Sequence, residues 1–450
     1  SILPEGGFYN TDENTLNHLY AKFQGEYGKT FNEAHMMNIL AGFEINSTRR
    51  ENRWNDGWGY IYDKGGIVVQ HDNLSRYLNA RGQSMFGYAK LNDRRISVFT
   101  NVAYSYLGKY VFNAGFRYDG SNQLGSSNQA RYLPSWNVSG AWNMKEEGFL
   151  ADVDWLTTLR PKVSYGYNGI MGPAASSELM IYAKKTLRPD HNETGNYISA
   201  LANKDLTWEK MYELNVGLEY GFLNNRLAGE FAYYKRKSVD LIDLVYASGI
   251  GGSQIKIGNI GDMKAHGYEF SLNTINIMTD RFKWTTNLNF NYHKSEITKL
   301  EQSAQISEAV SNVGAGILGY PQKGIFSVRF AGLNEDGVPS FYDENGDIIY
   351  DIDFQSRDDV DKILKYEGPV EPKFYGGFSN NFTFYGFNLG INFVFKAGNV
   401  IRLDDAYSSS YNDYRSFPKE LKNRWILPGD EKVTSVPAIL DKRTYQKYSN

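Results

Sequence analysis

The acidic segment from Asp343 to Asp347 has residue types that could bind a metal ion. It reads Asp-Glu-Asn-Gly-Asp, and clustered carboxylate and amide oxygens are the ligands that calcium prefers. The spacing departs from the EF-hand loop, because glycine is fourth rather than sixth and Phe354 occupies the place of the bidentate glutamate. Asn-Gly pairs also form tight turns without a metal. A turn is the favoured interpretation and no cofactor is expected, with a calcium ion near Asp343, Asn345 and Asp347 as the alternative.

Two aromatic clusters could bind a ligand. Flat rings beside polar groups offer a large contact area at a low cost in conformational entropy. The clusters are Trp54, Trp58 and Tyr60 in an expected loop over residues 47–81, and Asp404, Asp405, Tyr411 and Tyr414 in residues 398–415. The favoured interpretation is nevertheless that these side chains pack the loops onto themselves or onto a partner protein, with ligand binding as the alternative.

The remaining residue types argue against an enzyme and against nucleic-acid binding. The 450 residues contain no cysteine, which excludes disulfides, thiolate zinc sites and cysteine nucleophiles. The 6 histidines lack the spacing of metal ligands, and no catalytic signature accompanies the many carboxylates. A net charge of −3 gives no indication of a nucleic-acid partner.

The elements that would position these side chains are strands with one apolar and one polar face. Residues 282–292 alternate strictly, with Trp284, Leu288 and Phe290 on one face and asparagines between them. The same alternation predicts about twelve strands, at residues 19–27, 37–45, 84–106, 110–118, 136–142, 159–167, 212–222, 227–236, 266–274, 282–294, 374–384 and 387–395. Ten residues tilted by about 45° give roughly 24 Å of height, close to the apolar band of an outer membrane.

Short and long connections alternate between the predicted strands. Turns such as 223–226 and 385–386 contrast with connections such as 46–83, 168–211, 237–265 and 295–373. Short turns on one side and long loops on the other are typical of an up-and-down membrane barrel. We therefore predict an all-β fold, an antiparallel transmembrane β-barrel with long extracellular loops that carry recognition. Twelve strands alone would leave two edges unpaired in lipid, so residues 1–450 are expected to form the central portion of a larger barrel.

The strand pattern assigns side chains to the two faces of the barrel wall. Leu288, Phe290, Ile391 and Phe393 should face lipid, and Asn287, Asn289 and Asn392 the lumen. A set of charged residues should also line the lumen, namely Arg117, Asp119, Lys162, Glu213, Glu219, Glu269 and Lys283. Water or a plug domain would solvate or pair these charges.

Five sequence blocks resemble the SusC/RagA branch of TonB-dependent outer-membrane transporters. They occur in the family's order across residues 117–430, which makes the set more specific than any single block. The blocks are Arg117-Tyr-Asp-Gly-Ser121 with Leu133-Pro-Ser-Trp136 and Glu146-Glu-Gly-Phe149, Leu206-Thr-Trp-Glu-Lys210 with Asn215-Val-Gly217 and Asn225-Arg-Leu227, Asn259-Ile-Gly261 with Gly267-Tyr-Glu-Phe270, Pro372-Lys-Phe-Tyr-Gly-Gly-Phe378, and Asn423-Arg-Trp425 with Pro428-Gly-Asp430.

The resemblance implies a barrel of about 22 strands with a plugged lumen in the outer membrane of a Gram-negative bacterium. In this family the plug precedes the barrel and an N-terminal box engages the TonB complex. Neither is visible in this chain, and neither are the terminal strands. A SusD-like surface lipoprotein would lid the barrel and hand over ligand. The substrates implied are oligosaccharides or oligopeptides.

Two functions therefore compete. The favoured hypothesis is an outer-membrane importer of nutrients that are too bulky for simple porins. The alternative is a secreted or surface β-rich protein that binds or degrades glycans with its aromatic loops. Dependence on detergent distinguishes the two.

Overall fold

A single large antiparallel sheet dominates the molecule. The structure is a computed structural model that describes residues 6–68, 74, 85–124, 127–170, 180–184, 195–246, 255–311, 315–357, 360–403, 416 and 418–439. The strands are β1 (Gly7–Phe31), β2 (His35–Ile61), β3 (Ile67–Val68), β4 (Phe86–Tyr106), β5 (Tyr110–Ser121), β6 (Tyr132–Trp142), β7 (Leu156–Ile170), β8 (Met180–Lys184), β9 (Gly195–Ala200), β10 (Glu209–Phe222), β11 (Leu227–Tyr246), β12 (Ile255–Met278), β13 (Phe282–Leu300), β14 (Gly324–Val328), β15 (Phe330–Leu333), β16 (Pro339–Tyr342), β17 (Ile348–Ile349), β18 (Leu364–Pro369), β19 (Phe374–Phe384) and β20 (Phe387–Ala397).

Helical structure in the described residues is limited to short turns. The α-helical turns are Asn128–Arg131, Ile306–Ala309 and Val360–Ile363, and the 3-10 turns are Tyr62–Lys64, Met144–Glu146, Gly148–Leu150, Lys419–Asn423 and Asp430–Lys432. In this part of the chain, we find no helix with the length and apolar character needed to cross a membrane.

The strands of the large sheet follow one another in chain order. The order is β1-β2-β4-β5-β6-β7-β10-β11-β12-β13-β19-β20, every pairing is antiparallel, and β3 adds a short pairing to β2. Each of the twelve predicted strands is present, so the prediction of an all-β up-and-down architecture is confirmed. Among the described residues, β1 and β20 form the two edges of an open sheet.

The sheet has an apolar face and a polar face, because neighbouring side chains in a strand point to opposite sides. On β2, β4 and β5, Phe43, Val98 and Tyr118 lie in register on the apolar face. Their exposed fractions are 46%, 55% and 43%, which is unusual for large hydrophobic side chains in contact with water. Glu44, Ser97 and Asp119 lie in register on the polar face.

Several strands extend further than the alternating pattern predicts. β1 and β2 have 25 and 27 residues and stay paired from the turn at 32–34 to Gly7 and Tyr60. Residues 46–61 are therefore strand, and the prediction of a loop over 46–83 is wrong for them. The prediction of a loop over 237–265 is wrong for 237–246 and 255–265, which belong to β11 and β12. In residues 46–53 of β2, polar and charged side chains occur on both faces, so the alternation disappears while the backbone pairing continues.

The connection between β13 and β19 is folded, whereas the sequence led us to expect a structureless loop. It forms two small sheets, β14-β18 and β15-β16-β17. Its hydrophobic core contains Ile306, Ala309, Val310, Ile317, Phe326, Phe341, Ile352, Val360 and Leu364. The segment after β20 packs on this unit, since Val400 N–H donates to Pro369 O at 2.9 Å and Ala438 N–H to Gly337 O at 3.0 Å.

Glu147 joins two neighbouring turns at the short-turn end of the sheet. Its carboxylate accepts hydrogen bonds from Tyr110 Oη at 2.7 Å, Lys109 Nζ at 3.0 Å and Trp142 Nε1 at 3.1 Å. These donors lower the pKa of the Glu147 carboxyl from 4.5 to about 2. The negative charge of Glu147 therefore stabilises the folded state.

We expect Glu147→Gln to lower the thermal unfolding temperature at pH 7. Because the folded pKa is depressed, the advantage of the wild type is complete above pH 4.5 and is lost as the pH falls through about 2. Thermal unfolding in detergent at pH 7, 4.5 and 2 checks this, with Glu146→Gln as the control. Equal destabilisation by the two variants would contradict a specific role for Glu147.

Candidate functional site

The polar face of the sheet brings the predicted lumen charges to one side. Pairing places Arg117 and Asp119 beside Phe99 and Ser97, and Glu213 and Glu219 beside Gly166 and Arg160. Lys162, Glu269 and Lys283 have the same orientation in β7, β12 and β13, opposite Gly217, Ala232 and Thr383. All seven side chains therefore project from the face that also carries Glu44. That this face lines a lumen stays a prediction.

Arg117 is the centre of the first charge cluster. Its guanidinium donates to Asp119 Oδ1 at 2.7 Å, to Ser97 Oγ at 2.7 Å and to the carboxylate of Glu44. Tyr20 Oη also donates to Glu44 Oε2 at 3.1 Å. One cation thus holds two carboxylates from different strands, and Ser97 beneath them is buried.

We expect Arg117→Met to destabilise the folded protein by about 1–2 kcal/mol, since two carboxylates lose their shared cation. This value allows for solvent screening, because the Arg117 side chain is 39% exposed. Arg95→Met is the matched control, since Arg95 pairs only with Asp93 among the described residues, and should cost under about 1 kcal/mol. Urea unfolding of the protein in lipid vesicles measures both. If Glu44→Gln lowers the free energy of unfolding by the same amount in the Arg117→Met background as in the wild type, Glu44 and Arg117 are not coupled.

A second cluster joins β7, β10 and β11. Lys162 Nζ lies 3.0 Å from Glu219 Oε1 and 2.7 Å from Glu230 Oε1. Arg160 Nη1 approaches the other oxygen of Glu219 at 3.3 Å. Two cations therefore compensate two carboxylates that the register places directly opposite one another.

A third cluster extends from β10 to β13. Arg236 Nε donates to Glu213 Oε2 at 2.5 Å, and its guanidinium lies 4.4 Å from the centre of the Tyr234 ring. The hydroxyl of Tyr234, a buried side chain, lies 2.8 Å from His293 Nδ1. Glu269 and Lys283 make no ion pair with any residue that the structure describes.

The sequence prediction omitted several members of these clusters. Glu44, Arg160, Glu230 and Arg236 occupy polar-face positions, and the same alternation that selected Arg117 and Glu219 could have identified them. A groove of about 790 Å³ lies along the polar face between the first cluster and Glu213. Amide, hydroxyl and charged groups line it, including Asn101, Asn113, Asn137, Ser164 and Asn168. Such a surface can hydrogen-bond a polar ligand or another protein segment. No group of three or more His, Asp and Glu side chains in the described residues could hold a metal.

Trp54 and Trp58 lie in the outer part of β2 rather than in a loop. Both have the orientation of the polar face, and Trp54 is 37% exposed. The indole of Trp54 lies across Gly87 of β4, where a Cβ would come within 1.7 Å of it. Trp58 makes an edge-on contact with Phe8 at 4.7 Å.

Tyr60 is not brought together with the two tryptophans. Gly59 has φ 78°, a backbone conformation that glycine adopts without steric cost, and the register of β1 and β2 shifts at this position. The ring of Tyr60 stacks on Tyr9 at 4.8 Å instead. Tyr9 and Phe8 are neighbours in β1 and so point to opposite faces. The predicted cluster of three aromatic side chains is therefore divided between the two faces.

The other predicted ligand groups have different outcomes. Asp404, Asp405, Tyr411 and Tyr414 lie outside the described residues. Asp343 Oδ1 accepts the N–H groups of Asn345 and Asp347, each at 2.8 Å, so its carboxylate closes the turn between β16 and β17. The preferred interpretation of this segment as a turn agrees with these bonds.

Comparison with known proteins identifies a family that covers most of the chain. Residues 3–359 match the family described as TonB dependent receptor-like, beta-barrel. The TonB-dependent receptor P3 of Formosa agariphila is 26% identical over 468 residues, covering 98% of this chain and 44% of that protein. The TonB-dependent receptor SusC of Bacteroides thetaiotaomicron is 30% identical over 299 residues, covering 64% of this chain and 29% of that protein. The chain thus spans less than half the length of these relatives.

Solved structures with the same fold include the RagAB peptide transporter. The match has a TM-score of 0.77 and 24% identity, and covers 97% of this chain and 48% of that chain. The RagAB peptide importer in the closed-closed state gives a TM-score of 0.76 over 96% of this chain and 47% of that chain. These likenesses concern the fold. Together with the relatives above, they confirm the SusC/RagA-like resemblance that the sequence blocks predicted.

Proposed function

This chain belongs to the TonB-dependent receptor-like β-barrel family, and from that premise we propose that the protein imports nutrients across the outer membrane of a Gram-negative bacterium. Receptors, rather than enzymes, make up the family. One observation carries the proposal, namely the twelve-stranded sheet with a largely exposed apolar face and a polar face that holds paired charges. In a membrane barrel, the apolar face contacts lipid, and the polar face contacts water or protein inside the barrel.

The proposed partners follow from the similarity to SusC and to RagAB. A SusD-like lipoprotein would cover the barrel, and the TonB complex would supply energy through a plug domain and an N-terminal box. Glu269 and Lys283 have no ion-pair partner in the described residues, so they are the positions at which we expect contacts to a plug. RagAB is named as a peptide transporter, and oligopeptides and oligosaccharides are both candidate substrates for this protein.

Detergent dependence and growth test the proposal. The full-length protein should be monodisperse in detergent and should aggregate when detergent is removed. Deletion of its gene should abolish growth on one oligopeptide or oligosaccharide mixture as the only nutrient source. A protein that stays monodisperse without detergent would instead support the secreted glycan-binding alternative.

Topology gives a further prediction, which is simpler to test because residues 1–450 contain no cysteine. Asp280 lies in the short turn between β12 and β13, and Glu344 lies in the connection between β13 and β19. On intact cells lacking the partner lipoprotein, a membrane-impermeant maleimide should label Glu344→Cys at least about tenfold more than Asp280→Cys, because the membrane excludes the reagent from the turn side. Permeabilised cells provide the control, since both positions should then react. The reverse pattern on intact cells would invert the topology.

A further inference from the structure

A small hollow interrupts the apolar face at the long-loop end of β2, β4, β5 and β6. It has a volume of about 330 Å³. Ile45, Ile96 and the ring of Tyr132 form its apolar part, and Gly120 contributes no side chain to fill it. Arg94, Arg131, Ser47 and Asn122 line most of the remainder. Asn46, Arg95 and Ser121 also border the hollow, but they occupy strand positions whose side chains point to the polar face. The hollow therefore combines an apolar part with a cationic part.

The cations of the hollow have free hydrogen-bonding capacity. The Nε atom of Arg131 is buried and has no hydrogen-bond partner among the residues that the structure describes. Arg94 is exposed, and its guanidinium makes no ion pair with a described residue. By contrast, the adjacent Arg95 points to the polar face, where its Nη2 lies 2.8 Å from Asp93 Oδ2.

Positive charge continues beyond the hollow on the same face. Arg49 and Arg53 share the buried carboxylate of Glu51, and Lys90 lies opposite Glu51 in the register of β2 and β4. The five cations Arg49, Arg53, Lys90, Arg94 and Arg131 thus exceed the two carboxylates Glu13 and Glu51 on this part of the apolar face.

The height of the hollow matches the border between hydrocarbon and headgroups. The residues on the apolar face of β4, from the turn outwards, are Tyr106, Tyr104, Val102, Thr100, Val98 and Ile96. Arg94 is the next residue on that face after Ile96. From Tyr106 to Arg94 is about 41 Å along the strand, or roughly 29 Å of height at a tilt of 45°. An apolar band about 25 Å tall ends just below Arg94.

We propose that this hollow binds the phosphate group of a membrane lipid. Arg94 and Arg131 would contact the phosphate, since guanidinium groups match its oxygens in pairs. The lipid chain would lie against Ile96 and Ile45, which are about half exposed. Arg49, Arg53 and Lys90 would contribute attraction for the same anionic headgroup. The inference rests on the membrane location in the proposed function.

Lipid retention by the full-length protein tests this site. The protein is stripped of lipid in a non-ionic detergent, incubated with lipid A, a bisphosphorylated glycolipid, and separated by gel filtration before the bound lipid is counted by native mass spectrometry. Arg94→Gln with Arg131→Gln should reduce retention by about tenfold, because two charge-assisted contacts are lost. Arg95→Gln, which removes the same charge one residue away on the other face, should stay within about twofold of the wild type.

Additional control experiments distinguish a lipid phosphate from free phosphate, and separate a loss of binding from a failure of the variant to fold. The wild type should retain dephosphorylated lipid A as weakly as the double variant retains lipid A. Excess inorganic phosphate should not displace lipid A from the wild type. Arg131 lies outside the sheet, so Arg131→Gln alone should assemble even if the double variant does not. We expect this single variant to retain about threefold less lipid A than the wild type.

Several results would overturn the proposal. These are unchanged retention in Arg131→Gln, an equal loss in Arg95→Gln, equal retention of dephosphorylated lipid A, or displacement of lipid A by inorganic phosphate. A detergent-dependent protein that retains no lipid A contradicts the lipid site alone. A protein that is monodisperse without detergent contradicts the membrane location itself.

Discussion

Replacing Ile391 with arginine should block assembly of the protein in the membrane, whereas replacing its neighbour Asn392 should not. Ile391 lies on the apolar face of β20, and Asn392 lies opposite Ser379 on the polar face. A charged arginine near the middle of the lipid band costs about 2–4 kcal/mol, while the same side chain on a hydrated face costs little.

The two variants serve as matched tests of the face assignment, because they place the same residue one position apart. Assembly is measured in full-length protein by the shift in gel mobility on heating and by the amount recovered in outer membranes. We expect Ile391→Arg to lower both strongly and Asn392→Arg to resemble the wild type. Equal impairment by the two substitutions would show that the assignment of faces is wrong.

Replacing Trp54 and Trp58 together with alanine should weaken either nutrient uptake or binding of the lipoprotein, without an effect on assembly. From His35 to Trp54 is about 65 Å along the strand, or roughly 46 Å of height at a tilt of 45°, which is well above an apolar band of about 25 Å. Both rings lie on the face that carries the charge clusters, so they are placed at the proposed mouth of the barrel.

The expected loss for the double variant is about 2 kcal/mol of binding free energy, or roughly a thirtyfold change in affinity, since tryptophans are frequent anchors at interface centres. Uptake of the cognate nutrient and co-purification of the lipoprotein measure it. Tyr88→Ala is the control, because Tyr88 is 48% exposed on the opposite face of the neighbouring strand. If uptake and co-purification are both unchanged, the contacts of Trp54 with Gly87 and of Trp58 with Phe8 are the whole role of these residues.

The twelve strands could be predicted because the environment on each face repeats along the chain. Residues 282–294 alternate between apolar and polar side chains, and they form most of β13. The predicted strands are too short wherever the real strand continues beyond the apolar band. Residues 46–61 show this, since Arg49, Glu51 and Arg53 occupy the same face as Phe43 and Ile45. These residues are paired through backbone hydrogen bonds, which require no alternation of apolar and polar side chains and so cannot be recognised in the sequence.

The charged residues of the polar face were also readable from the alternation, but their partners were not. Arg117 and Glu44 are separated by 73 positions and meet through β4, which lies between their strands. That contact depends on the registers of two strand pairs. Likewise, Gly59 moves Tyr60 away from Trp58 through a single shift in register. A shift of this kind changes faces without a visible change in composition.

By itself, therefore, the sequence determined the all-β class, the order of the strands and the face of the side chains wherever the alternation is unbroken, because these follow from a period of two and from solvent contact. The tertiary structure alone decided the reach of the strands beyond the apolar band, the hydrophobic core in the connection between β13 and β19, and the partners of each charge. Ile306 and Leu364 of that core are 58 positions apart and come together only when the connection folds on itself. Contacts between distant residues depend on the packing of the whole chain, which no local pattern records.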